Sequence, residues 1–244
     1  MLKVTVNRVR YECLASWHEL TLKKASELMP LLLQFPDSML EIYKLSLEGN
    51  KKKLAEVEVS DHDLIKTIPE VQGKVIERLT TIPAEVIEHI SAEDRTAFYN
   101  EHLLPFVIGL LYFPYNYEPQ GLKSFKYKGK RYLMPQYELD INGEPVPMAK
   151  AKAATFTEAS DLMLAASQVT KGKFNYMAQV VATLCRRNKE PYDAEVIKQR
   201  AKEFDELPMS IVWEVFFYSI AFTATLRKTY PTYYQTAKAK VAAQ

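Results

Sequence analysis

A nine-residue phrase occurs twice in this chain. Residues 21–29 read Thr21-Leu22-Lys23-Lys24-Ala25-Ser26-Glu27-Leu28-Met29, and residues 155–163 read Thr155-Phe156-Thr157-Glu158-Ala159-Ser160-Asp161-Leu162-Met163. Five positions are identical, and two more (Leu22/Phe156 and Glu27/Asp161) are like for like. In both copies apolar residues recur at i, i+3, i+7 and i+10: Leu22, Ala25, Met29, Leu32 and Phe156, Ala159, Met163, Ala166. That spacing predicts an amphipathic helix in each place. It constrains how the chain is built and carries no chemistry of its own.

Composition agrees with a helical, folded protein. Of 244 residues only 7 are Gly, and 48% are hydrophobic. Such a chain is long enough for one large domain or two ordinary ones. The formal net charge of +2 supplies no global field, which argues against a nucleic-acid or anionic-membrane partner. Residues 1–13 lack the apolar run of a signal peptide, and Ile211 to Leu226, the most apolar stretch, is too short to span a bilayer and contains Glu214. The expectation is an intracellular soluble protein, or one packed inside a larger assembly, with Cys13 and Cys185 as buried free thiols.

Taken in order, Leu2 to Tyr11 reads as one strand. Ser16 and Glu19 form a capping box for the first helix, which Pro30 interrupts or kinks. Met39 to Leu47 is a helix stopped at Gly49-Asn50, and Lys51-Lys52-Lys53 is a solvated turn. Ser60 with Asp63, Pro83, and Ser91 with Asp94 start further helices, and Leu103 to Phe113 is the buried helix of the first half. Residues 114–122 are a linker. Residues 123–148 read as β: Phe125, Tyr127, Tyr132 and Leu133 around Lys128-Gly129-Lys130, then Leu139 and Ile141 before the hairpin signal Asn142-Gly143. Phe174 to Arg187 is a helix, Asp193 caps another running to Glu206, and Leu207-Pro208 opens the last. The fold class expected is mainly α, in two helical modules at 1–113 and 123–244, each with a small β element. Because Leu104-Pro105 and Leu207-Pro208 both open an apolar helix, the modules read as duplicates; the rival is chance similarity between amphipathic helices.

No constellation for catalysis, cofactor or metal stands out. His18, His62, His89 and His102 are not at metal-ligand spacing, and Asp61-His62-Asp63 fits a helix cap better than a ligand set. Gly-rich phosphate loops and the nucleophile-elbow motif are absent from the sequence. Cys185 beside Arg186-Arg187 reads as a core thiol. The expectation is a non-enzyme without cofactor or metal. Large aromatics on the last helix, Trp213, Phe216, Phe217, Tyr218 and Phe222, suit either a core or an interface, and Tyr112, Phe113 and Tyr115 extend the aromatic area. Lys126, Lys128, Lys130 and Arg131 beside Tyr127 and Tyr132 are the candidates for nucleic-acid contact, against the alternative of a solvated strand edge.

Several short phrases carry a resemblance. Trp17-His18-Glu19-Leu20-Thr21, then Ile76 through Pro83 with Ile90-Ser91 and Asp94, look like small virion-assembly proteins of tailed bacteriophages, tail assembly chaperones among them. Leu184-Cys185-Arg186, Tyr192-Asp193, Arg200, Phe204, Leu207-Pro208 and Phe216-Phe217 are similar to further phage proteins of that type. The resemblance touches about half of the chain and implies no catalytic residues. It implies work in the host cytoplasm or inside the virion, with tail or virion proteins as partners and self-association as a further option. Two outcomes stay open: a chaperone that covers apolar segments of tail proteins, or a structural or packaged component of the virion. A small nucleic-acid binder is the third.

Overall fold

The computed structural model describes residues 1–6, 8–112, 120–135, 137–139, 145–147, 162, 164–165, 169, 174–188, 190–229, 235 and 239; the side chains of 136–147 and 221–229 lie outside that description. The chain is mainly α with small antiparallel strand pairs. It divides into two compact units, residues 1–20 with 24–117, and residues 21–23 with 118–244.

The first unit opens with two strands where the sequence predicts one. β1 (Leu2–Val6) and β2 (Val9–Cys13) pair antiparallel, with Val6 opposite Val9. Arg8 sits in the left-handed region at φ 66, where the chain reverses between Val6 and Val9. The face-sharing residues fall at 2, 4 and 6 and then at 9, 11 and 13, so the alternation slips by one residue at the turn, a break that the single-strand reading of Leu2 to Tyr11 passes over. β2 is anchored on its far side as well: Leu14 N–H donates to Leu79 O at 3.2 Å and Thr81 N–H to Glu12 O at 2.9 Å.

The first helix starts later than the Ser16 capping box predicts. α1 covers Leu22–Leu32, and the Glu19 carboxylate accepts from Ala15 N–H at 2.8 Å instead of closing a box on Ser16. Pro30 lies inside α1 without ending it, two residues before its last residue. α2 (Asp37–Leu47) ends in a Schellman turn: Gly49 adopts φ 66, its N–H donates to Ser46 O, and Asn50 N–H reaches back to Leu45 O. Lys51-Lys52-Lys53, predicted as a turn, form one exposed helical turn, α3 (Lys51–Leu54), with Asn50 Oδ1 accepting from Lys53 N–H at 3.2 Å.

Two prolines then shape the unit. A π-helical turn, Asp63–Thr67, runs into α4 (Ile68–Leu79), and another, Tyr99–Leu103, runs into α7 (Leu104–Tyr112). Each π turn ends two residues before a proline, Pro69 or Pro105. A proline inside a helix cannot donate to residue i−4 and its ring crowds that carbonyl; widening the preceding turn relieves both faults while the helix continues. Leu104-Pro105 is therefore interior to a helix beginning at α6 (Ala92–Phe98), whereas Leu207-Pro208 does precede a helix start. The two Leu-Pro pairs are not equivalent. The second copy of the nine-residue phrase, apart from buried Leu162, lies outside the described residues, as does most of the 114–122 linker.

Short helices fit between these. α5 (Ala84–Glu88) follows Pro83, and Ser91 Oγ accepts from Asp94 N–H at 3.0 Å to cap α6. Arg95 on α6 donates to Ile90 O at 3.1 Å and Pro69 O at 3.4 Å, satisfying carbonyls at a helix end and at the proline. The core of the unit includes Leu28, Leu32, Phe35, Val75, Ile76, Tyr99, Leu103, Val107 and Leu110, all 3% exposed or less. Each fully buried aliphatic of this size is worth about 1.5–3 kcal/mol.

The second unit begins with two hairpins. β3 (Ser124–Tyr127) pairs with β4 (Lys130–Leu133), and β5 (Tyr137–Leu139) with β6 (Pro145–Pro147). Lys128 (φ 46) and Gly129 (φ 73) are both left-handed, the signature of a two-residue type I′ turn. The β3–β4 hairpin falls where the sequence predicts it; Asn142-Gly143 lie outside the described residues. A 3-10 turn at Phe174–Tyr176 leads into α8 (Met177–Leu184), which ends at Cys185 and not at Arg187. Arg186 has left the helix to pair with Leu133, whose N–H donates to Arg186 O at 2.8 Å. α9 (Ala194–Glu203) is capped by Asp193, whose Oδ1 accepts from Glu195 and Val196 N–H, and α10 (Met209–Thr229) closes the unit. Thr21 pairs with Pro208, and Leu22 N–H donates to Leu207 O at 2.8 Å.

Candidate functional site

Three sets of side chains were open to a functional role, and the structure treats them differently. On α10, Trp213 is 0% exposed, Phe216 1% and Tyr218 3%. Trp213 meets Phe174 and Phe216 edge-on at centroid distances of 5.9 and 6.0 Å. Burial pushes the Tyr218 phenol up to about 12. Of the two options the sequence leaves for these three, core or interface, they occupy the core of the second unit. Phe217 is half-buried, Ile220 one turn on is 47% exposed, and the Phe222 side chain lies outside the described residues. Tyr112 is half-buried and donates its hydroxyl to Leu40 O at 2.5 Å, while Phe113 and Tyr115 lie outside the described residues.

Glu214, buried on α10 at 4% exposure, is explained by its partners. Its carboxylate accepts from the backbone N–H groups of Gln120 (2.9 Å), Gly121 (2.8 Å) and Leu122 (3.3 Å). Gly121 takes φ 65, a left-handed turn that aims successive N–H groups at one anion. The carboxylate is thus a clasp for the segment entering β3, with its oxygens engaged in folding.

A different surface arises at the first π turn. In an uninterrupted helix Leu64 would stand at i−4 and i−7 from Ile68 and Val71 and share their buried stripe. The π turn Asp63–Thr67 inserts an extra residue into the register, and Leu64 and Ile65, which lie within it, are shifted off that stripe. Leu64 is accordingly 53% exposed and Ile65 79%, while Ile68, Val71 and Val75 are buried. Sequence reading missed this pair. Its signal was Pro69 placed inside an otherwise regular helical pattern.

The third set is the β3–β4 ribbon. Cross-strand partners share a face, so Lys126 opposite Arg131 and Ser124 opposite Leu133 form one side, and Phe125 opposite Tyr132 and Tyr127 opposite Lys130 the other. The inner side is closed: Phe125 and Tyr132 stack at 5.5 Å, and Tyr132 meets Phe204 edge-on at 5.0 Å. Tyr127 donates its hydroxyl to Glu203 O at 2.6 Å and its ring meets Phe204, so its phenol is raised, by burial above all. The aromatic faces predicted to lie beside the cations are therefore occupied within the unit. The outer side, with Lys126 and Arg131, is solvent-facing, and Lys128 in the turn and Lys130 opposite Tyr127 are exposed as well. Lys128 lies 5.3 Å from the Tyr127 ring centroid and Arg131 Nε donates to Ser124 Oγ at 2.9 Å, and among the described residues none of the four cations is in an ion pair.

The whole-chain charge conceals where these cations sit. Residues 1–117 carry 13 Lys and Arg against 17 Asp and Glu, a formal −4, whereas residues 118–244 carry 19 against 13, a formal +6. Summing over the chain cancels the two, which is why the overall +2 looked featureless.

Among the described residues the remaining titratable groups offer no convergent site. Burial raises the Cys13 thiol to about 11 and raises Cys185 further still, the opposite of what a nucleophilic thiol needs. Among the described residues no group of three His, Cys, Asp or Glu side chains could hold a metal ion. A surface depression beside α8 and α9 is lined by Gln179, Asp193, Glu195, Val196 and Lys198, but Asp193 caps α9 and Lys198 pairs with Glu195 at 2.7 Å. No helix among the described residues is long and apolar enough to cross a membrane. Comparison with family models, characterised proteins and solved structures finds no match to this chain.

Proposed function

We propose that this protein works without catalysis, by protein–protein contact in the assembly of a tailed-phage virion, as a tail assembly chaperone. The carrying observation is the pair Leu64 and Ile65, 53% and 79% exposed within the π turn that precedes Pro69. Two adjacent large aliphatics in water cost hydration free energy that the isolated chain does not recover, and a partner's apolar segment recovers it. Phe217 and Ile220, one turn apart on α10, offer a second contact of the same kind. The short-phrase resemblance to virion-assembly proteins supplies the biological setting: apolar segments of tail proteins as clients, held in the host cytoplasm until assembly.

The test is affinity capture of the full chain from phage-infected cells, wild type beside the double variant Leu64→Ser/Ile65→Ser, with mass spectrometry of purified particles alongside. The expected result is a tail protein captured by the wild type, lost from the double variant, and particles free of this chain. Stoichiometric copies in the particle overturn the chaperone role and make the protein a structural component. Capture that survives the double variant removes Leu64 and Ile65 from the contact.

A further inference from the structure

We propose that the outer edge of β1 pairs with the same strand of a second copy of this chain, joining two hairpins into one four-stranded antiparallel sheet. Along an antiparallel strand, residues alternately turn their backbone N–H and C=O toward the partner strand and away from it. Val6 and Val9 close the two-residue turn as a bonded pair, so Val4 with Tyr11 and Leu2 with Cys13 bond across the hairpin too. Lys3 and Thr5 therefore turn their N–H and C=O groups away from β2. The opposite edge shows the same alternation in use. Glu12, the partner of Lys3, donates its N–H to Thr81 Oγ1 at 2.8 Å and accepts from Thr81 N–H at 2.9 Å. Among the described residues the β2 edge is thus engaged, and nothing pairs with the β1 edge. A free edge is a template for another strand, and proteins commonly blunt it with proline or a bulge. β1 has neither: its register is one-to-one throughout and it contains no proline, whereas β6 carries Pro145 and Pro147.

The residues along the strand select a second copy as the occupant. Outward groups must meet outward groups, so a two-fold axis can pass through Lys3, Val4 or Thr5. An axis at Lys3 sets two like charges directly opposite, and an axis at Thr5 overlaps only residues 4–6. An axis at Val4 overlaps all five residues and sets each Lys3 against the second copy's Thr5, with four backbone hydrogen bonds. It also opposes Leu2 to Val6 and Val4 to Val4 at non-bonded positions, where side chains approach most closely. That register supplies cover the single chain lacks. Leu2 is 42% exposed and Val6 half-buried, although both share the face that buries Val4 and Cys13. Lys3 keeps Glu12 of its own hairpin directly opposite, an attractive cross-strand pair. Five residues a side make a small contact, in the class of transient associations. The edge uses neither Leu64 nor Ile65 and does not rest on the chaperone reading.

The test is disulfide trapping in the full chain, with sedimentation velocity from micromolar to millimolar concentration alongside. Lys3→Cys and Thr5→Cys replace exposed side chains, while the native Cys13 and Cys185 are buried. In the proposed register Lys3 and the second copy's Thr5 have Cα atoms about 5.5 Å apart, within the span of a disulfide. A mixture of the two variants under mild oxidation is expected to give a covalent heterodimer. Each variant alone is expected to give far less, because like positions lie diagonally, about 7–8 Å apart. Thr5→Pro removes an outward N–H without touching the β1–β2 ladder and deletes two of the four intermolecular bonds. It is expected to weaken association about tenfold or more while circular dichroism stays native. If the proline unfolds the hairpin, the trapping pair still decides. Leu64→Ser/Ile65→Ser is expected to associate as the wild type does. A wild type that stays monomeric at every concentration overturns the proposal, as does equal trapping of each variant alone and of the mixture. Association lost in Leu64→Ser/Ile65→Ser moves the contact to that surface and overturns it too. A monomeric chain that captures a lysate protein through an intact Thr5, but not with Thr5→Pro, assigns the edge to a foreign strand and overturns self-pairing.

Discussion

The guanidinium of Arg200, 3% exposed, is ion-paired with the Glu190 carboxylate, and its plane lies over the Tyr132 ring, 5.5 Å from the centroid. It also donates to Ala182 O at 3.3 Å and Cys185 O at 3.1 Å, two carbonyls that the end of α8 leaves without helical partners. One side chain therefore caps α8, neutralises Glu190, and supports the inner face of the β3–β4 ribbon. Glu190 in turn accepts from Arg187 N–H at 2.8 Å, holding the segment after Cys185.

Truncating Arg200 leaves Glu190 charged and two carbonyls unpaired. Arg200→Ala is expected to cost about 3–5 kcal/mol in urea unfolding, the usual penalty for breaking a buried pair from one side. Arg200→Lys keeps the charge but has no fork to reach the carboxylate and both carbonyls together, so it is expected to recover less than half. A loss under 1 kcal/mol for Arg200→Ala would remove this residue as the organiser of the unit.

Glu214 predicts a local effect. With Glu214→Ala the amides of Gln120, Gly121 and Leu122 lose their shared acceptor, at about 1–3 kcal/mol for bonds to a charged group. Hydrogen exchange is the direct readout: those three amides are expected to lose protection while α8 keeps its own. Uniform loss across the unit would mean that Glu214 supports packing and not the clasp.

Alkaline pH is expected to destabilise the protein through its thiols. Burial raises Cys13 from 9.0 to about 11, so between those values the unfolded chain loses a proton that the folded chain retains. The folded state then binds more protons, and stability is full below pH 9 and falls by about 1.4 kcal/mol per pH unit per group as pH rises toward 11. Cys185 acts in the same direction, and Tyr43, raised from 10.0 to about 12, adds to it above pH 10. The urea midpoint followed from pH 8 to 11 in wild type and Cys13→Ala checks this: the variant is expected to show the shallower decline.

The β3–β4 ribbon carries a stability signature of its own. Replacing Lys126 with Glu turns a repulsive cross-strand pair with Arg131 into an attractive one, worth about 0.2–1 kcal/mol. Lys126→Glu is therefore expected to raise the thermal midpoint. A lowered midpoint would show that Lys126 contributes packing along its stem.

The Schellman turn gives a backbone test. Gly49 holds φ 66 with open space around it, so Gly49→Ala meets no clash and only the left-handed strain, about 1 kcal/mol. The same exchange at Gly73 (no left-handed φ, ordinary contacts to Arg95 and Ile87) is expected to cost nothing or to stabilise slightly through helix propensity. Paired unfolding curves of the two variants decide it.

Local chemistry was legible in the sequence wherever the deciding atoms lie within a few residues. Ser60, Ser91 and Asp193 cap their helices as their spacing predicts, because a cap needs only a side-chain oxygen and an N–H two or three residues on. Lys128-Gly129 makes its turn because Gly tolerates positive φ, and Gly49-Asn50 stops α2 for the same reason. Mainly helical architecture follows likewise from periodicity and from scarce glycine. Tertiary structure decided what depends on distant partners. Ser16 looked like a cap, yet the chain stays in turns until Leu22, and Glu19 goes to Ala15. Arg186 left its helix because Leu133 offered a strand partner 53 positions earlier in the numbering. Trp213 and Phe216 took the core, one of the two places the sequence left open to them, while Leu64 and Ile65 went to solvent although their helical spacing matches the buried stripe. Periodicity reports that a face is apolar; which apolar face is covered depends on the register shift at Pro69 and on what packs across from it, and neither is written in any single window of the chain.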